Sequence, residues 1–292
     1  MEEKIYNLFY LGYPDIQKWL EETDIVMVPI GSCEQHGLHL PVCTDSIACL
    51  LPVEMAAPRA NVPHTPLVWF GYSPQHLREP GKGSGTITLR EETYQNVLYD
   101  IGRSLIHQGF NKIVFVTGHT SNLKVVDRAL RGIRYETGAI PCVFRADAEG
   151  IPPILTDIIE NPPEETPGWH GSEIETSEVL NFNPQLVHLE RTGKDFTHPP
   201  RWLTEKFTKK NGSPYVALKD WDCAYFPMDH PEYSDTGLIG NPFRGTAEKG
   251  RRIVERIADR LVEFLEEMKK VEVTIKNLSL IHISEPTRQA EI

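Results

Sequence analysis

The sequence predicts an α/β fold of three layers, α/β/α, with helices covering both faces of a mainly parallel sheet. Three observations lead there. Short apolar runs without polar alternation recur, as in Asp24-Ile-Val-Met-Val-Pro-Ile30 and Lys112-Ile-Val-Phe-Val116, and such runs are buried on both faces, as parallel strands are. They alternate with longer segments of helical period, the order that builds crossover units. Acids and imidazoles crowd the loops just after the runs, where open α/β sheets place their sites.

The elements follow in order. The first strand spans Asp24–Ile30 and empties into Glu34-Gln-His-Gly-Leu-His-Leu-Pro-Val-Cys-Thr-Asp45. A helix over Asp45–Ala57 comes next, with Asp45 placed either to cap it or to serve a site. A strand is expected at Pro66–Phe70. Gly81-Lys-Gly-Ser-Gly-Thr86 precedes the strand-like Ile87-Thr-Leu89 instead of following a strand, which excludes a phosphate loop. Then come a helix at Glu91–Gln108, a strand at Lys112–Val116 and a helix at Leu123–Thr137, for which Ser121 or Asn122 is the expected cap. Gly118 allows a positive φ where a tight turn needs one. A last strand, Pro141–Arg145, leads to a stretch rich in Pro and acids, Gly150 to Trp169, expected to loop over the site. The helix Ser172–Phe182 carries Glu173 and Glu175 in its first turn. Thr192 to Pro242, with Trp202, Trp221, His198 and His230, is expected to be irregular and to serve as an oligomer contact or a lid. An amphipathic helix, Thr246–Lys270, closes a single domain of residues 1–277.

Three clusters carry the chemistry. Glu34, His36 and Asp45 share the first loop. His119 stands at the tip of the Lys112 strand, in Gly118-His-Thr-Ser-Asn122. Trp169-His-Gly-Ser-Glu-Ile-Glu175 offers Glu175 and His170. Glu34, His36, Asp45, His119 and Glu175 make a mixed oxygen and nitrogen set without thiolate, suited to Zn, Mn or Fe. Three carboxylates and two imidazoles exceed what one catalytic zinc takes from protein, so two divalent ions bridged by Asp45 are expected. The chemistry implied is metal-assisted hydrolysis. His170, just ahead of its helix, is suited to carry a proton.

These segments resemble the creatininase (creatinine amidohydrolase) family. The resemblance rests on Glu34-Gln-His-Gly-x-His-Leu-Pro-x-x-Thr-Asp45, Gly118-His-x-x-Asn122 and His170-Gly-Ser-Glu-x-Glu-Thr-Ser177. It extends to Gly85-Thr-Ile-Thr-Leu89, Gly240-Asn-Pro242 and Thr246-Ala-Glu-Lys-Gly250, covering most of Asp24 to Glu267. It implies a binuclear metal site, a metal-bound hydroxide attacking a carbonyl, and a homo-oligomer, often a hexamer. It implies that Glu34, His36, Asp45 and His119 are ligands, that Glu175 is the remaining ligand or supports one, and that His170 moves a proton to the leaving atom. One departure stands out: Ser121 takes the place of a metal-binding glutamate of creatininase itself. The family also includes peptide and formamide hydrolases and a hydrolase that opens 3-dehydro-scyllo-inosose at a carbon–carbon bond. Tyr72, His76, Arg78, Lys82 and Asn122 would suit a cyclic amide or a polyhydroxylated ring, with Tyr72, His76 and Asn122 foremost.

Composition narrows the rest. The 292 residues carry a formal net charge of −11, and basic runs are short, so nucleic acid and anionic membranes are not expected partners. Five cysteines in odd number, without a Cys-x-x-Cys pair or a signal peptide, suit a reducing cytoplasm. A serine or cysteine hydrolase would need a Gly-x-Ser-x-Gly elbow or a base beside Cys33, and neither is present. A metal-binding protein without activity is disfavoured by His170. Leu278-Ser-Leu-Ile-His-Ile-Ser-Glu-Pro-Thr-Arg288 resembles a translated sequencing adapter, so residues 278–292 are expected to be foreign and His282 is not counted as a ligand.

Overall fold

In the computed structural model, residues 4–146, 153–165, 168–209, 215–219 and 221–276 are described. The expected foreign tail lies outside them. Strands β1 (Ile25–Ile30), β2 (Lys112–Thr117) and β3 (Ile140–Arg145) form a parallel sheet in the order β1-β2-β3. Ile25 pairs with Lys112 and Lys112 with Ile140, so the three strands start level and end level. Their alternate side chains feed two cores. Ile25, Met27, Val114 and Val116 face helices α2 (Thr44–Ala60) and α6 (Ala247–Lys269). Val26, Val28, Ile30, Ile113 and Phe115 face α3 (Glu91–Gln108) and α4 (Leu123–Thr137). Two covered faces explain why the strand sequences show no alternation. On α6, Ile253, Ile257, Leu261 and Leu265 recur every fourth residue and are buried, each burial stabilising by about 1.5–3 kcal/mol. A first helix, α1 (Tyr13–Glu22), buries only Trp19.

The strand expected at Pro66–Phe70 does not form. Residues 63–68 run parallel to β1 on its free side through isolated bridges. Met27 N–H donates to the Pro63 carbonyl and Gly31 N–H to that of Val68. Between them Pro29 has no N–H to give, and Pro66 has none either, so the ladder cannot be continuous.

The stretch after β3 also differs from expectation. Leu155, Ile158 and Ile159 are buried in the α2/α6 core, which fixes residues 153–165 against the body of the fold instead of over the site. Glu165 there accepts from Arg244 Nε, Lys194 Nζ and Asn241 Nδ2 at 2.6, 3.0 and 2.7 Å. Thr192–Pro242 is more ordered than expected, for β4 (Phe207–Lys209), β5 (Tyr215–Leu218) and β6 (Trp221–Tyr225) form an antiparallel sheet.

Two glycines at strand ends let α2 begin where it does. A Cβ on Gly31 would lie 2.3 Å from Ser46 Oγ, and one on Gly118 would lie 2.0 Å from the Asp45 carbonyl oxygen. Gly118 is therefore needed for close approach of the helix, and it does not take a positive φ. The first turn of α2 rests across the ends of β1 and β2, which brings Asp45 over the sheet's carboxyl edge.

Candidate metal centre

At that edge lies a cavity of about 190 Å³ lined by Glu34, Asp45, His76, His119, His170 and Glu175, among others. Asp45 is the second residue of α2 and does not cap it. Its Oδ1 is 3.1 Å from His36 Nε2 and its Oδ2 is 3.2 Å from His119 Nδ1, so one carboxylate faces two imidazoles. Glu175 Oε1 lies 3.6 Å from the same His36 nitrogen, and Glu34 Oε2 lies 3.2 Å from His119 Nε2. Among the described residues, four sets of donors lie close enough to share an ion: Glu34, Asp45 and His119; His36, Asp45 and Glu175; Glu34, His36 and His170; and His76, His170 and His230. Asp45 joins the first two, which together use every carboxylate of the cluster.

Local structure orients each ring. His36 Nδ1 is 3.2 Å from the Glu34 carbonyl, and a carbonyl only accepts, so Nδ1–H donates and Nε2 is turned to the carboxylates. His119 Nε2 is 3.1 Å from the Tyr72 carbonyl, which leaves Nδ1 for Asp45. Ser32 Oγ donates to Glu34 Oε2 at 2.8 Å, and Gly171 N–H donates to Glu175 Oε2 at 2.5 Å. His170 Nε2 lies 2.7 Å from the Gln35 carbonyl, so its proton sits there and Nδ1 is the basic nitrogen. The His170 ring stacks on His36 with centroids 4.1 Å apart.

Electrostatics matches the geometry. Burial pushes the Glu34 carboxyl up to about 7, with Asp45 adding to it and His119 and His36 opposing. Burial also opposes the charged forms of His36 and His119. The Asp45 and Glu175 carboxylates nevertheless hold His36 well above its ordinary value, and Glu34 and Asp45 bring His119 up to about 9. Asp45, despite burial, is held well below the carboxylate range by the same two imidazoles. Burial and neighbouring imidazoles push His76 and His170 well below the usual histidine range. A proton on each of two rings thus balances the carboxylates, in positions where a cation would do the same.

The remaining expected residues divide. Tyr72 and His76 line the cavity. His76 Nε2 is 3.2 Å from Glu34 Oε1 and its Nδ1 is 3.3 Å from Gln35 Nε2, so this ring also supports Glu34. Asn122 does not reach the cavity. Its Nδ2 donates to the Gly31 carbonyl at 3.0 Å and its Oδ1 accepts from Tyr72 N–H at 3.1 Å. This amide ties β1 to the 71–72 segment, and it neither binds in the cavity nor caps α4 through its side chain. Ser121 lines the cavity, and Arg78 instead donates to the Asp235 carbonyl at 2.6 Å. His230, expected in a lid or an interface, stands in the cavity wall, 3.9 Å from His76 and 4.9 Å from His170 between ring centroids. No strand end or motif marks it.

Behind the site, His39 makes a pH-dependent contribution to folding. Thr176 Oγ1 donates to the Gly171 carbonyl and lies 3.1 Å from His39 Nε2, so that ring N–H donates to the hydroxyl. Burial pushes the ring down to about 4, against roughly 6.5 in an unfolded chain. The native state binds fewer protons in that window. His39 therefore stabilises fully above pH 6.5 and loses this contribution as pH falls to 4, about 3 kcal/mol in all. Urea unfolding of metal-free protein at pH 7 and pH 4.5 should cost the wild type about 2 kcal/mol more than His39→Gln. Equal losses would show that His39 is not buried neutral.

Comparison with known proteins gives the family. A family model described as creatininase, creatinine amidohydrolase, matches residues 10–265. The 3-dehydro-scyllo-inosose hydrolase of Thermotoga maritima is 24% identical, over 87% of this chain and 80% of its own. The creatinine amidohydrolase of Pseudomonas putida is 27% identical, over 83% and 89%, and the mycofactocin precursor peptide peptidase of Mycolicibacterium smegmatis 29%, over 81% and 84%. A solved structure of a manganese creatininase superposes with a TM-score of 0.69 at 25% identity, covering 92% of this chain and 100% of its own. The chain belongs to the creatininase family and is a hydrolase.

Proposed function

We propose that this hydrolase holds two divalent ions, one between Glu34, Asp45 and His119 and one between His36, Asp45 and Glu175, and cleaves at a carbonyl of a small polar, cyclic substrate. A cyclic amide of the creatinine kind is the family's default. The observation that carries the reading is Asp45, whose two oxygens each meet a different imidazole at 3.1 and 3.2 Å. Buried carboxylates converging on oriented ring nitrogens fit cations that take oxygen and nitrogen donors. The manganese and zinc forms named among the solved relatives support a divalent metal.

Bound there, such ions would supply Lewis-acid polarisation of a carbonyl and an acidified water. The chain's own residues do the rest. His170, neutral at pH 7 and with Nδ1 basic, accepts a proton and returns it to the leaving atom. Tyr72 and His76 form the wall against which the ring packs. The test is metal analysis with assays on creatinine and on 3-dehydro-scyllo-inosose, before and after chelation. Turnover of one of them, lost on chelation and restored by Mn or Zn, is expected. Activity indifferent to chelator would overturn the metal reading, and turnover of the inosose alone would assign carbon–carbon cleavage in inositol breakdown in place of an amide.

A further inference from the structure

Away from the three carboxylates of the proposed metal groups, the cavity is lined by one acid, Asp229, and one lysine, Lys124. Glu34, Asp45 and Glu175 lie at the metal end. Among the described residues that line the cavity, Lys124 is the one lysine or arginine. It is the second residue of α4, whose first turn has no acidic residue, and it forms no ion pair among the described residues. A cation on the first turn of a helix opposes the helix dipole, so its placement there is unfavourable until an anion arrives. Beside it, Ser121 is buried, 8% exposed, and lines the same wall. Its oxygen accepts from Gln75 Nε2 at 2.6 Å, which leaves the hydroxyl's own proton to give, and no acceptor for it is found among the described residues. A buried hydroxyl with a proton to give, next to an unpaired ammonium, makes an anion-binding pair.

We infer that Lys124 and Ser121 bind a carboxylate on the substrate, distal to the carbonyl that is cleaved, so the substrate class is a small carbonyl compound bearing one negative charge. The inference rests on the metal reading above, which places the reacting carbonyl at the inner end. A carboxylate matches the site better than a phosphate. One ammonium offsets one charge, and a dianion would add an uncompensated charge to a small cavity lined by four carboxylates, Glu34, Asp45, Glu175 and Asp229.

The test uses metal-loaded, full-length protein and hydroxamates, which bind divalent ions through their two oxygens. Calorimetry would compare neutral acetohydroxamate with the monohydroxamates of malonic, succinic and glutaric acids, which add a free carboxylate at increasing reach. At least one of the three should bind about tenfold or more tightly than acetohydroxamate. That preference should fall to about one in Lys124→Met and fall partly in Ser121→Ala. If acetohydroxamate binds and no carboxylate in the series improves on it, or if the preference survives Lys124→Met, the inference is wrong and the metal reading stands. If no hydroxamate binds to protein shown to hold metal, the metal reading of the inner end fails first and takes the inference with it.

Discussion

Asp45→Asn should leave the protein folded and without either divalent ion after dialysis, with turnover lowered at least a thousandfold. The amide keeps the shape of the carboxylate but gives up its charge, and Asp45 is the one side chain common to both donor groups. Loss of a residue that merely supports a ligand costs roughly 10–100-fold in metal affinity, and here a ligand shared by two ions is lost. Substitutions at unshared positions should separate the two ions. His119→Ala removes a donor only from the group with Glu34, and Glu175→Gln only from the group with His36. Elemental analysis of the three variants, with circular dichroism to confirm the fold, checks the arrangement. Asp45→Asn protein that retains both ions would show that Asp45 bridges nothing.

Metal loading should also release protons. In the free protein the charge on His36 and His119 balances the carboxylates, because Asp45 with Glu175 or Glu34 outweighs the burial that opposes it. Imidazoles bind metal in their neutral form, so both rings give up the proton that a cation replaces.

What the sequence disclosed, and what it hid, follows from the range of the forces involved. β1 and β2 are fixed by local runs such as Ile25–Ile30, buried throughout, because a strand covered on both faces is apolar along its length, whereas β3 at the sheet's edge is only half-buried. The loop from Glu34 to Asp45 is legible because the three donors lie within a dozen residues. Asn122 misleads because its position beside His119 suggests substrate contact, whereas its amide is consumed by the Gly31 carbonyl and Tyr72 N–H, partners remote in sequence. His230 is hidden for the same reason: packing on His76 brings it in from a segment without periodic signal. The outer sheet is hard to read because β6 is partly exposed along its length and carries little of the apolar pattern that marks a buried strand.

His170→Ala should lower turnover by roughly a hundredfold or more while both ions remain bound. Its Nε2 is held by the Gln35 carbonyl at 2.7 Å, so although the ring lies within reach of Glu34 and His36, the two proposed ions are held by the other donors. Burial keeps it neutral, so Nδ1 can accept a proton released from water and return it to the leaving atom. Its position is set from both sides. Gly171, next in the chain, donates to Glu175 Oε2, and the ring face lies on His36. Removal of the ring should therefore slow proton transfer without opening the donor groups, so kcat falls far more than KM rises. His170→Asn, which keeps a hydrogen bond to the Gln35 carbonyl within reach but cannot titrate, should be as slow as His170→Ala. Metal content and single-turnover rates of the two variants decide the matter. Loss of metal with the ring would make His170 a ligand, and near-normal turnover in His170→Asn would make it a structural support.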